Sequence, residues 1–184
     1  MSAGRGPYAF RPMTAADLPM TRRWLLTPEV RRWWGDPEEQ LALLTEDLDE
    51  PRMRMWIVSH RGQPFAYIQD YDPLAWDLHH FGDLPPGSRG IDQFIGEPDM
   101  LNRGHGSAFI RAHVERLFAE GSPAIGTDPD PENTRAIRAY AKAGFEALRE
   151  TLDWEGEPTL LMLARPDSGD QPPRSRLENR LRDE

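Results

Sequence analysis

Apolar and polar positions alternate with two periods along this chain, and the switches between them mark its elements. Tyr8 to Pro12 reads as a short strand. Thr14-Ala-Ala-Asp17 then starts a helix near Asp17, with Pro19 acceptable because it falls in the first turn. Thr27-Pro28 and Asp36-Pro37 repeat one signal, an oxygen-bearing N-cap followed by proline at the first helical position. The second opens a helix with Leu41, Leu44 and Leu48 on one face. Arg54 to His60 and Pro64 to Tyr71 are strands of a hairpin that turns at Arg61-Gly62. Residues 72–88 form a long loop rich in Asp, His and Pro, a length often used for function.

Beyond that loop, Arg89 to Gly96 is a strand and Gly104 to Ala119 a helix whose core face carries Ile110, Val114, Leu117 and Phe118. Pro123 to Thr127 is a strand, and Glu132 to Ala143 a helix closed by Gly144. Phe145 to Trp154 and Pro158 to Ala164 form a last hairpin around Glu155-Gly156. The order β-α-α-α-β-β-β-α-β-α-β-β predicts an α/β (α+β) fold, a mixed sheet with helices on its faces. One domain is expected over residues 1–165. From 166 to 184 the chain is Pro-, Asp- and Arg-rich, with Leu177 and Leu181 its only large apolar residues. Such a segment buries too little surface to offset its ordering entropy, so a polar, mobile tail is expected.

Composition narrows the function. The 184 residues are 38% hydrophobic and 29% charged, and six Trp, seven Phe and four Tyr exclude a disordered chain. No apolar run reaches the length of a membrane span and no signal-peptide core is evident, so a cytoplasmic protein is expected. Without cysteine there is no disulfide, thiol nucleophile or Cys-based zinc site. His79-His80 is adjacent rather than convergent, so no metal is expected. A net charge of −9 argues against a nucleic-acid partner and favours a cationic one.

The clearest chemical signal is Asn102-Arg103-Gly104-His105-Gly106-Ser107, between a strand and an amphipathic helix. Two glycines allow a sharp turn and close approach, and the free N–H groups at the helix start suit an anion such as a pyrophosphate. A tight turn before a helix would look the same. Further on runs Asn133-Thr-Arg-Ala136-Ile137-Arg-Ala-Tyr140-Ala-Lys142-Ala143-Gly144-Phe145. The combination resembles the GCN5-related N-acetyltransferase (GNAT) superfamily over about residues 8–164, departing at Leu101, where the family usually has Gln or Arg. Arg89-Gly90-Ile91-Asp92-Gln93, Trp33-Trp34-Gly35 and Thr127-Asp128-Pro129 are similar to the aminoglycoside 6′-N-acetyltransferases. The siderophore-type lysine and hydroxylysine N-acyltransferases are close cousins, with a His near the position of His80.

The resemblance implies a mostly antiparallel GNAT sheet, acetyl-coenzyme A as acetyl donor and a small cationic amine as acceptor, with no nucleic acid or membrane partner and a monomer or homodimer. An alkyl amine is protonated at neutral pH and must lose its proton before it attacks a thioester. Asp92 is the candidate group to anchor that amine and take the proton, and Tyr140 to protonate the departing thiolate. Asp92 can equally be a structural carboxylate, and Tyr140 a packing residue. Expected donor contacts are the backbone of Gln93, Phe94 and Ile95, the loop from Arg103 through Gly104, His105 and Gly106 to Ser107, and Asn133, Ala136, Tyr140 and Lys142. Asn133 can instead cap its helix. Trp34, Asp70, Tyr71, Trp76, Asp77, His80, Asp92 and Asp128 are the expected acceptor contacts, carboxylates for ammonium groups and indoles for stacking.

Overall fold

The computed structural model describes residues 7–76, 79–153 and 155–166. Asp77, Trp154 and the expected tail beyond Pro166 lie outside them. Seven strands form one sheet in the order β1-β2-β3-β4-β5-β7-β6. They are β1 Tyr8–Pro12, β2 Met53–His60, β3 Gln63–Tyr71, β4 Arg89–Ile95, β5 Ile125–Thr127, β6 Glu146–Leu152 and β7 Pro158–Ala164. All pairings are antiparallel except β4 with β5. The helices are α1 Leu18–Leu25, α2 Pro28–Trp34, α3 Pro37–Asp47, α4 His105–Ala119 and α5 Thr134–Ala143. Element order and type follow the sequence pattern throughout.

Local chemistry explains the boundaries. Arg61 and Gly62 both take positive φ, at 51° and 82°, the conformation a two-residue hairpin needs to match strand twist. Asp36 caps α3 by accepting from the N–H groups of Glu38 and Glu39. The last helix begins at Thr134 rather than Glu132, because the Asn133 side chain caps it by accepting from Ala136 N–H at 3.2 Å. Gly144 closes that helix at φ 106°.

Two apolar layers sandwich the sheet. Ile110, Val114 and Leu117 of α4 pack with Tyr140 and Ala143 of α5 onto Ile68, Ile91 and Ile125. Phe118 borders that cluster, while buried Phe109 supplies core contact that the periodicity did not single out. On the opposite face Trp24, Leu25, Val30 and Leu44 from α1–α3 cover Ile57, Tyr67 and Phe94. A third cluster, Tyr71, Phe81, Leu84 and Leu163, seats the loop before β4. Among the described residues no helix is long and apolar enough to cross a membrane.

Candidate active site

The parallel pair β4–β5 matches Arg89 with Ile125 and Gly90 with Gly126, and goes no further. Strand β4 continues to Ile95 while β5 stops at Thr127, so the two diverge around a cleft of about 800 Å³. Gln93, Phe94 and Ile95 line one wall, and Asn133, Ala136, Ala139, Tyr140 and Lys142 the other. A divergent strand edge presents peptide N–H and C=O groups to the cleft, which must be satisfied by water or ligand.

The glycine loop closes one end. Gly104 adopts φ 82° with open space around its missing Cβ, so the backbone conformation requires glycine there. Asn102 shares this left-handed geometry at φ 58°, which asparagine adopts more readily than most residues. A Cβ on Gly106 would meet Ile95 and Ala139 only at 3.7 and 3.8 Å, ordinary contact, so the protein itself does not demand glycine at that position. Leu101, Asn102, Gly104, Gly106 and Ser107 all line the cleft. The side chain of His105 turns away, with Nδ1 2.8 Å from the Tyr8 hydroxyl and its ring against His60.

Asp92 sits at the mouth of the divergence. Gln69 Nε2 donates to Asp92 Oδ2 at 2.9 Å, and the Tyr71 hydroxyl donates to the same carboxylate. Burial and the nearby Asp128 charge push Asp92 up to about 7, against the pull of Gln69, His80 and Tyr71. Asp128 is anchored in turn: His80 Nε2 lies 2.8 Å from Asp128 Oδ2, and the Thr159 hydroxyl donates to the Asp128 carbonyl. Two carboxylates thus line one cleft, close enough for the charge of Asp128 to act on Asp92, a setting that attracts a cation.

Tyr140 is buried, with its ring edge-on to Phe145, and the side chains of Thr127 and Gln93 oppose the effect of burial on its phenol. Burial first, and the Asp92 charge second, raise its phenol above the ordinary value, so it stays a proton donor at neutral pH.

Several sequence expectations are relocated. Asp70 is fully buried on the opposite side of β3 from Gln69 and Tyr71, where Arg54, Arg89, His113 and the Trp56 indole surround it. Strand alternation forbids neighbours 70 and 71 from facing the same cleft, so Asp70 is structural rather than an acceptor contact. Trp76 packs edge-on to Tyr71 beneath the Arg52 guanidinium, outside the cleft lining. Tyr71 and His80 are buried and reach the site through Asp92 and Asp128. Trp34 lines the cleft with its ring edge-on to Phe94 at 4.9 Å, and Asp77 lies outside the described residues. Arg103 is exposed beside the loop, outside the lining.

Glu29, Trp33, Gln69, Arg135, Arg138 and Glu155 also line the cleft, although none of them was among the expected contacts. Gly90 and Gly126 lie within strands β4 and β5, where each makes room for a ring. A Cβ on Gly90 would meet the Tyr71 ring at 2.4 Å, and one on Gly126 the Phe81 ring at 2.7 Å. Each gap lets an aromatic ring lie across the sheet, and the Tyr71 ring does so beside Asp92. Among the described residues no His/Cys/Asp/Glu group is arranged to hold a metal ion.

The Acetyltransferase (GNAT) domain family matches residues 13–152. The chain is a GNAT acetyltransferase. This GNAT acetyltransferase is 38% identical over 145 residues to the aminoglycoside N(6')-acetyltransferase type 1 of Klebsiella pneumoniae, covering 74% of this chain and 72% of that one. It is similar in structure to AAC(6')-Ib in complex with paromomycin and acetyl-coenzyme A, with TM-score 0.80, 32% identity, and 94% and 99% of the two chains covered. The complex of AAC(6')-Ib with coenzyme A and kanamycin is also similar, with TM-score 0.76, 35% identity, and 86% and 94% covered.

Proposed function

We propose that this GNAT acetyltransferase moves the acetyl group of acetyl-coenzyme A onto the 6′-amine of aminoglycoside antibiotics, in the cytoplasm, and so confers resistance. The observation that carries this reading is that Asp92 and Asp128 line one cleft where β4 and β5 diverge, with Trp34 and Glu29 on the same cleft. A polycationic sugar needs several carboxylates and an aromatic face, and the cleft has both. The relatives named above support the choice of acceptor.

The residues present also fit the donor. The free edge of Gln93 to Ile95 suits the amide-rich pantetheine arm, the Gly104–Gly106 turn at the start of α4 suits the pyrophosphate, and Arg135, Arg138 and Lys142 on α5 add positive charge. Asn133 spends its carbonyl on the helix cap, leaving its NH2 as a donor. Acetyl-coenzyme A, when bound, supplies the activated thioester. Asp92 and Asp128 hold the acceptor ammonium. Asp92 takes its proton, made basic enough by burial and by its neighbour's charge. The new N–C bond forms as the C–S bond breaks, and Tyr140 Oη delivers a proton to the departing sulfur.

A lysine or hydroxylysine N-acyltransferase of siderophore type is the second reading, favoured by His80 at 2.8 Å from Asp128. Free-thiol release against aminoglycosides, polyamines, lysine derivatives and peptides separates the two. The first reading predicts turnover with kanamycin- and tobramycin-like amines and little with 6′-hydroxyl analogues. Turnover of lysine or hydroxylamine acceptors without any aminoglycoside product would overturn it.

A further inference from the structure

From Asp92 a short chain of side chains runs through Gln69, which lines the cleft, to Tyr67, which does not. Register pairs Gln69 with Asp92 and Tyr67 with Phe94, so Tyr67, Gln69 and Asp92 share the face covered by α1–α3. Tyr67 is fully buried, stacked on Phe94 at 5.2 Å and edge-on to Trp34 at 6.0 Å. Its hydroxyl donates to Gln69 Oε1 at 2.5 Å, and Gln69 Nε2 donates onward to Asp92 Oδ2 at 2.9 Å.

A carboxamide has a donor end and an acceptor end, and which one meets Asp92 decides which form of Asp92 it stabilises. An NH2 toward Asp92 favours the carboxylate. An oxygen toward Asp92 favours the protonated acid. We propose that Tyr67 is a positioning residue for acetyl transfer: its buried hydroxyl locks the Gln69 amide with NH2 toward Asp92, and so keeps that carboxylate ready to accept the acceptor's proton. The inference rests on the role given to Asp92 above.

Burial raises the Tyr67 phenol well above its ordinary value, so it remains a donor through the working range. The other groups facing this chain do not replace the lock. Asp128, His80 and Tyr71 act on Asp92 from beyond β5, the loop before β4, and β3, and Tyr140 faces it from α5. From α3 the charge of Asp47 acts on Tyr67, and from α2 Glu29 lines the same cleft. None of these bonds is made to the Gln69 amide oxygen.

Tyr67→Phe removes the hydroxyl and keeps the ring in its stack. The freed amide can then turn over when Asp92 is protonated, which stabilises the neutral acid. Gln69→Met removes the donor altogether at similar length. The test is a carbon-13 titration of the Asp92 carboxyl in the full chain, assigned by its loss in Asp92→Asn, alongside the pH profile of kcat/KM for kanamycin. Tyr67→Phe is expected to raise the Asp92 midpoint by roughly half to one pH unit, and Gln69→Met by about one unit or more. The acid limb of kcat/KM should move equally, with coenzyme A affinity unchanged. A merely structural Tyr67 would lower the melting temperature and leave the midpoint in place. An unchanged midpoint in Tyr67→Phe, whether or not Gln69→Met shifts, overturns the proposal. The expected midpoint shifts without any kanamycin turnover in the wild type would leave the lock standing and sink the acceptor assignment instead.

Discussion

Asp92 and Tyr140 stood out as candidates in the sequence because each lies in a short run that resembles the family's. Their partners did not. Gln69 and Tyr67 meet Asp92 through the β3–β4 register, which places residues 23 apart at bonding distance, as in the Gln69–Asp92 pair. Asp70 misled because an acidic residue in an acidic stretch looks like substrate chemistry, although its parity on the strand already put it opposite Tyr71. Tyr140→Phe tests the proton-donor role, since it removes one hydroxyl and almost no volume. It should lower kcat by roughly 10²-fold with coenzyme A affinity kept, and a wild-type kcat would leave Tyr140 as packing. Gly106→Val tests the loop: its Cβ has ordinary contacts at 3.7 and 3.8 Å, so the fold should survive while calorimetry shows coenzyme A affinity collapsing. Unchanged affinity would remove the pyrophosphate from this turn.

Elements carry the next layer of the account. The order and type of strands and helices, and the end of β5 at Thr127, followed from periodicity, caps and turns, but its parallel pairing with β4 over only two residue pairs did not, and that divergence is what creates the cleft. Glycines within strands position rings in a way no motif reveals. Gly90→Ala would drive a methyl into the Tyr71 ring at 2.4 Å and displace its hydroxyl from Asp92. Steady-state kinetics should show kcat/KM for the acceptor falling by about 10- to 10²-fold with donor affinity intact, the scale of a 1 Å misplacement. Equal losses on both sides would mean the sheet itself had moved.

The buried Asp70 ties β2, β3, β4 and α4 together through Arg54, Arg89 and His113. Burial opposes its charge, but His113, the Trp56 indole and Arg54 hold its pKa well below the carboxylate range. The group therefore contributes stability above the unfolded pKa near ~3.9, and this is lost only as pH falls through the lower folded value. Asp70→Asn leaves the guanidinium groups without their counter-charge and should cost about 3 kcal/mol or more in urea unfolding at pH 7. A cost within ~0.5 kcal/mol would contradict the network's structural role.

At the scale of the whole molecule, the acidic composition and the cleft agree: net charge −9 predicted a cationic partner, and Asp92, Asp128, Asp130, Glu29 and Glu155 line the site. What composition could not reveal is that one carboxylate is set apart from the rest by burial and by a second charge. The central claim is that Asp92 takes the acceptor's proton, and the pH dependence of kcat/KM for kanamycin, wild type against Asp92→Asn, tests it most directly. In the wild type the rate should fall as pH drops, with a carboxylate inflection near the raised value of about 7 added to the slope from the substrate amine. Asp92→Asn should lose that inflection and ~10²-fold or more in kcat/KM, while binding coenzyme A as before. A variant that keeps the wild-type profile and rate would contradict the account.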